Sequence, residues 1–212
     1  MQPAPEATDS DTAASRLTAL ADGVFAIAMT LLVLDLSVPP GLNDQEFREA
    51  LHETLPKLLA YAISFAVIAE FWTDHRRILG SLRTVSGWVT GLTLLGLGLI
   101  ALLPFPTALL AEYGNRALPV AIYSLSVAAT NAVHLALLLA VHRRLPTPDS
   151  PLARKLRLLH AADFASTVVM FGLAIPLAFA FPNGAKWFWA LLVPLKVWIG
   201  HWERRTARRL EV

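Results

Sequence analysis

Apolar residues fall in blocks about as long as the roughly 20 residues that carry a helix across a bilayer core, and short clusters of proline, glycine and charge separate the blocks. The pattern predicts six transmembrane helices over 17–38, 53–75, 82–105, 118–141, 156–181 and 186–201, an all-α membrane protein. Val38-Pro39-Pro40-Gly41 closes the first helix, because prolines and glycine cannot continue it. Asp74-His75-Arg76-Arg77 ends the second, Pro104 and Pro106 mark the end of the third, and Pro146, Pro148 and Pro151 separate the fourth from the fifth. Pro176 and Pro194 lie inside the last two helices and predict kinks.

Helix 1 carries the chain's one polar signature in a membrane-grade apolar run, Arg16-Leu17-Thr18-Ala19-Leu20-Ala21-Asp22-Gly23. At about 100° per residue, Ile27, Thr30, Leu31 and Leu34 share one narrow face and Asp22 projects about 140° from Ile27. That stripe has two readings: an ion-facing surface, or a face packed on lipid or other helices with Thr30 bonded to its own preceding turn. Arg16 and Asp22 are six residues apart, a poor pair within one helix, so each calls for a partner from another segment. Trp72 and His75 share a face at the end of helix 2, where an Asp22 carboxylate accepting from His75, with Trp72 packing or donating through its indole, is one arrangement. An interfacial tryptophan beside a solvated histidine is the other. Asp35, at the far end of helix 1, is placed either to rim an outer mouth and concentrate cations or simply at a solvated helix end.

The net charge of +2 conceals an alternation. Arg16, Arg76, Arg77, Arg83, Arg143, Arg144, Arg154, Lys155, Arg157, Arg204, Arg205, Arg208 and Arg209 fall in every second loop or at the chain ends, while Arg48, Arg116, Lys57 and Lys186 sit among acids in the others. Both termini are therefore expected in the cytoplasm, with the protein in the cell membrane. The alternation supports an even helix count independently of hydropathy. Residues 1–15, acidic and without a basic residue, read as a disordered tail; 16–203 form the six-helix transmembrane domain, and 204–212 a basic cytoplasmic tail. The hydrophobic fraction of 55%, charged fraction of 16% and mean hydropathy of +0.53 agree with a polytopic chain, and the absence of cysteine excludes disulfides and thiolate chemistry. The basic clusters lack interleaved aromatics or a binding-fold signature, so they are assigned to topology and anionic lipid and not to nucleic acid.

Enzyme templates fail. His52-Glu53-Thr54-Leu55-Pro56 lacks the second histidine of a zinc helix, and there is no nucleophile elbow or phosphate loop. Neither a cofactor nor a tightly bound metal is expected. Asn131 with His134, and His160 with Asp163, form three-residue pairs; interhelical hydrogen bonding is the expected role of Asn131, and a relay or metal site through these pairs lacks a third convergent ligand. Gly87 and Gly91, with Gly96 and Gly98 further on, suggest close helix packing. The carbonyl filter Thr-Val-Gly-Tyr-Gly is absent, so any ion selectivity must come from side chains. The helix 1 signature occurs once, so a symmetric pore would need several chains.

Arg16-x-x-x-Leu20-Ala21-Asp22-Gly23-Val24-Phe25-Ala26-Ile27-Ala28-Met29-Thr30 resembles the helix 1 signature of the lysosomal potassium-channel family, transmembrane protein 175, whose pattern is Arg-x-x-x-Phe-Ser-Asp. Phe65, Val67, Trp72 and His75 are similarly arranged to that family's second segment. The resemblance implies a homotetramer with helix 1 lining a central pore, a bulky apolar ring at Ile27, a threonine ring at Thr30 contributing to potassium preference, and a further apolar position at Leu34. It also implies a structural polar network of Arg16, Asp22, Trp72 and His75. Leu20 and Ala21 depart from the family's Phe and Ser, which removes the serine hydrogen bond from that network.

The expected function is a potassium-permeable cation channel with a hydrophobic gate at Ile27, Thr30, Leu31 and Leu34 and modest preference for K+ over Na+. The partners implied are further copies of the chain, the bilayer and monovalent cations. The alternatives are a proton-coupled secondary transporter using Asp22, His75, His160 or Asp163, and a membrane scaffold that transports nothing.

Overall fold

The structure, a computed structural model, describes residues 9–80, 86–143 and 151–190. Seven α-helices run through them: α1 (Asp9–Leu31), α2 (Asp44–Gly80), α3 (Gly87–Leu102), α4 (Pro104–Tyr113), α5 (Ala117–His142), α6 (Pro151–Ala180) and α7 (Pro182–Ala190). Five stretches among the described residues are long and apolar enough to cross a membrane: Ala14–Asp35, Asp44–Gly80, Gly87–Tyr113, Ala117–His142 and Arg154–Ala180. The sixth expected helix, 186–201, is described only as far as Ala190, inside α7, and its remainder lies outside the described residues.

Several boundaries differ from the hydropathy reading. Helix α1 starts at Asp9, so residues 9–15 of the expected tail are its first turns, whereas residues 1–8 and 204–212 lie outside the described residues. It also stops early, tightening at Leu32–Asp35 into a 3-10 turn that ends when Leu36 turns extended. The third span does not finish at Pro104. Pro104 opens α4 at its first turn, where a missing N–H costs nothing, and the chain continues to Tyr113. Asn43 caps α2: its Oδ1 accepts from the backbone N–H groups of Gln45 and Glu46 at 3.0 Å, and Glu46 Oε2 accepts from the N–H of Asn43 at 2.9 Å. This reciprocal capping box starts the long helix directly after the turn at Gly41.

Helix α5 is central, packing on α2, α3, α4, α6 and α7, while α1 lies against α2 and α3. The principal core joins Ala21, Phe25, Ala28 and Leu32 of the first segment to Ile68 and Phe71 of α2, Leu97 and Ile100 of α3, and Tyr123 and Val127 of α5. Three polar side chains inside it, Ser64, Thr107 and Tyr123, are bonded to one another. Thr107 Oγ1 lies 2.9 Å from Ser64 Oγ and 2.9 Å from the Leu103 carbonyl, and Ser64 Oγ lies 3.2 Å from the Tyr123 hydroxyl, tying α4 to α2 and α5. Such satisfaction is what a low-dielectric interior demands. Gly96 supplies the close approach of α3 to α5, since a Cβ there would lie 3.4 Å from Val133 Cγ1; at Gly87 and Gly91 a Cβ would meet nothing within 4 Å. Among the described residues, Gly96 is the one of the four expected packing glycines that meets a neighbouring helix.

Candidate pore-lining helix and its clasp

Helix α1 divides into two faces. Leu17, Ala21, Phe25, Ala28 and Leu32, at intervals of four, four, three and four, are buried against the bundle. Phe25 is fully buried, whereas Ile27 is 60% exposed and Leu34 71% exposed. Leu20, Gly23, Thr30 and Leu31 are exposed as well, so the predicted stripe is one continuous outward surface of the subunit. A 3-10 turn advances about 120° per residue, which sets Leu34 directly over Leu31 instead of between Thr30 and Ile27. The same turn swings Asp35 away from the stripe and into a cleft it shares with Lys57, Glu112 and Tyr113. There Lys57 Nζ pairs with Glu112 Oε2 at 3.0 Å.

The hydroxyl of Thr30 donates to the carbonyl of Ile27 at 2.8 Å. This inward bond is the self-bonding that the sequence allowed, and it has a chemical consequence. With the hydrogen committed to the helix, the oxygen lone pairs are what the exposed surface presents, and lone pairs are what a cation requires.

Asp22, half-buried on the opposite side, accepts a hydrogen bond from Trp72 Nε1 at 2.7 Å. The charged acceptor makes this a short, strong bond between α1 and α2. Arg76 lies over the other side of the clasp, its Cζ 5.2 Å from the Trp72 ring centre. Ala21, where the family pattern has serine, is buried in the core, and the clasp closes through Trp72 without a hydroxyl there. Arg16 is exposed and bonds to none of the described residues.

His75 does not donate to Asp22. It is 1% exposed, packs its ring 5.6 Å from that of Phe25, and places Nδ1 3.3 Å from His134 Nε2 on α5. His134 in turn places Nδ1 2.9 Å from the Thr130 carbonyl and lies between Phe71 and Phe164, with ring centres at 5.3 and 6.3 Å. Asn131 donates to Val127 of its own helix at 3.1 Å, not across to a neighbour. The carboxylates of Glu70, Asp74 and Asp163 gather within 4.8 Å of one another, and Asp74 also pairs with Arg77 at 3.6 Å; His160 is half-buried and engaged within the bundle. The sequence signalled His134 only as half of a three-residue pair with Asn131, and Arg76 only as a topological charge.

An all-helical membrane protein whose first span is clasped on one side and outward-facing on the other defines a class, and the comparisons place it. A model of the family described as endosomal/lysosomal potassium channel TMEM175 matches residues 16–104. A potassium channel of Streptomyces collinus is 37% identical over 167 residues, covering 75% of this chain and 81% of that protein. The chain belongs to the TMEM175 family, whose members are ion channels and not enzymes. A potassium channel of Chamaesiphon minutus is 41% identical over 118 residues, 53% of this chain and 55% of that one. The crystal structure of a lysosomal potassium-selective channel TMEM175 homolog from Chamaesiphon minutus superposes with a TM-score of 0.74 at 25% identity, over 89% of this chain and 98% of that one. The human relative, an endosomal/lysosomal proton channel, is 32% identical over 97 residues, 42% of this chain and 19% of that protein.

Proposed function

We propose that the chain is a potassium-permeable cation channel of the cell membrane, formed by four copies around an axis lined by α1, with both termini in the cytoplasm. The observation that carries this reading is the two-faced α1. Its buried face and the Asp22–Trp72 clasp fix it to its own bundle, and its other face holds Ile27, Thr30, Leu31 and Leu34 outward with only one hydroxyl among them. A path along that face is completed only by further copies, and the Arg-x-x-x-x-x-Asp resemblance supports four. The names of the bacterial relatives support potassium as the permeant ion.

Four Ile27 side chains close the path by excluding water, since an ion cannot leave its hydration shell for an apolar constriction. Leu31 and Leu34 extend the dry stretch beyond Thr30. Opening requires α1 to move so that Ile27 withdraws; water then enters and four Thr30 oxygens replace part of the K+ hydration shell. A ring of single hydroxyls fixes fewer oxygens than stacked carbonyl rings, so the preference for K+ over Na+ is modest. Asp35 and its cleft neighbours set the charge at the outer mouth. The test is K+ flux into liposomes for Ile27→Ala against the parent protein, both verified as tetramers. A higher leak supports the gate, whereas unchanged flux from a folded tetramer, or a protein that is only monomeric in mild detergent, rules the model out. The proton-channel naming of the vertebrate relatives makes H+ the second ion to measure in the same liposomes.

A further inference from the structure

Where α2 begins and α4 ends, a cleft of 870 Å³ opens between α2, the end of α4, α7 and the segment that follows α1. Glu53 and Lys57 of α2, Glu112 of α4 and Lys186 of α7 line it. Lys57 and Glu112 neutralise each other at 3.0 Å. Glu53 and Lys186 have neither an ion pair nor a hydrogen bond among the described residues. Lys186 is half-buried, and its Nζ is held so near the turn after α4 that a Cβ on Gly114 would lie 3.7 Å from it. Glu53 is exposed, and Asn115 adds an exposed amide. A half-buried ammonium without a counter-ion calls for an anion, and the carboxylate beside it calls for a cation. The cleft is thus neutral in sum, with one charge of each sign left to satisfy.

Its walls change character with depth. Along α2 the lining passes from Glu53, Thr54 and Lys57 to Leu59, Ala60 and Ile63 within about 15 Å. A lipid passes from headgroup to upper acyl chain over a similar distance. Trp189 stands at the apolar end, an aromatic of the kind that sits at the headgroup boundary. Ile63 and Trp189 also wall a second cavity of 320 Å³, where Val67, Phe71 and Phe171 continue the apolar surface. An acyl chain therefore has a path below the charged rim.

We propose that this cleft binds one glycerophospholipid whose zwitterionic headgroup carries a primary ammonium, as phosphatidylethanolamine does. Lys186 and the Asn115 amide donate to the phosphate, the lipid ammonium donates to Glu53, and an acyl chain lies along Leu59 and Ile63. A choline headgroup has no N–H to give Glu53, and a glycerol headgroup brings no positive charge to offset it. Ser37 and Pro39 line the same cleft, so the bound lipid ties the segment after α1 to α2, α4 and α7. The site needs only that the chain resides in a membrane and does not rest on the channel reading.

The experiment uses the full chain, stripped of co-purified lipid in mild detergent and offered phosphatidylethanolamine, phosphatidylcholine or phosphatidylglycerol with the same acyl chains. Native mass spectrometry counts the lipid retained per chain, and thermal unfolding reads the stabilisation that a ligand of the folded state gives. Phosphatidylethanolamine should be retained at one per chain under conditions that strip the other two, and should raise the melting temperature most. Lys186→Gln should weaken its binding about tenfold, the effect of losing one charge-assisted bond. Glu53→Gln should retain lipid but lose the preference for phosphatidylethanolamine over phosphatidylglycerol. Arg48→Gln, which removes an exposed charge outside the cleft, should change neither. Equal retention of the three lipids by the parent, unchanged retention in Lys186→Gln, or an equal loss in Arg48→Gln overturns the proposal. So does displacement by soluble glycerophosphoethanolamine at equal concentration, which makes the occupant a free phosphodiester. A parent that retains no lipid also overturns it, the result when another copy of the chain or water alone fills the cleft. If Lys186→Gln does not fold, the lipid ranking in the parent and in Glu53→Gln decides it.

Discussion

Removing the indole N–H of Trp72 tests whether the clasp holds α1 to its bundle. In Trp72→Phe the ring remains beneath Arg76, but the 2.7 Å bond to Asp22 Oδ1 is lost. Hydrogen bonds to charged groups contribute about 1.5–3 kcal/mol, and the half-exposure of both partners sets this one near the lower end, about 1.5 kcal/mol. The single variant also shrinks the side chain, so its total destabilisation mixes packing with the bond. A double-mutant cycle with Asp22→Ala cancels the packing contribution and leaves the coupling. The assay is equilibrium unfolding of the four proteins in mixed micelles, followed by far-UV circular dichroism against the mole fraction of denaturing detergent. The expected coupling is about 1.5 kcal/mol, with the double variant less destabilised than the two singles added together. Additivity to within about 0.5 kcal/mol would show that the contact carries no energy of its own, and the account of α1 as a clasped helix would fall.

Thr30→Val should keep conduction while moving the bi-ionic K+/Na+ reversal potential toward zero, and Thr30→Ser should retain most of the preference; equal reversal potentials in all three proteins would remove Thr30 from selectivity. Gly96→Ala should cost under about 1 kcal/mol of unfolding free energy because Val133 needs to yield only slightly, but Gly96→Leu should cost about 1–3 kcal/mol or prevent assembly, as overpacking at a helix crossing does. Lys57→Ala should change stability by less than about 1 kcal/mol, since in its ion pair with Glu112 the lysine is partly exposed and the glutamate exposed; a larger loss would show that this pair is shielded in the assembled protein.

What the chain's letters disclosed depended on whether one helix or two decided the matter. The Ile27, Thr30 and Leu31 stripe was legible because a single α-helical period fixes it, and the α-helix persists through Leu31. The bearings of Leu34 and Asp35 shift from the α-helical projection, because Leu32-Val33-Leu34-Asp35 contains no turn residue to announce the 3-10 tightening. Asp22 and Trp72 could be matched from residue type and depth, indole donation included, but the imidazole of His75 does not join it in donating to Asp22. His134 was out of reach: it lies 59 residues from His75, and hydropathy does not specify how α5 is rotated about its axis. Proline reads as a stop, but Pro104 at a helix start is permitted, so the third span ran on where a break was expected.

The clasp and the exposed stripe are carved into one uninterrupted α-helix, five positions apart from Asp22 to Ile27. Inserting or deleting one residue between them would rotate everything beyond by about 100°, turning Ile27 off its outward bearing while Asp22 stayed fastened. Substitution can adjust either feature alone, but a change of length cannot. Across descendants of this gene, that interval should therefore vary in residue identity and not in number.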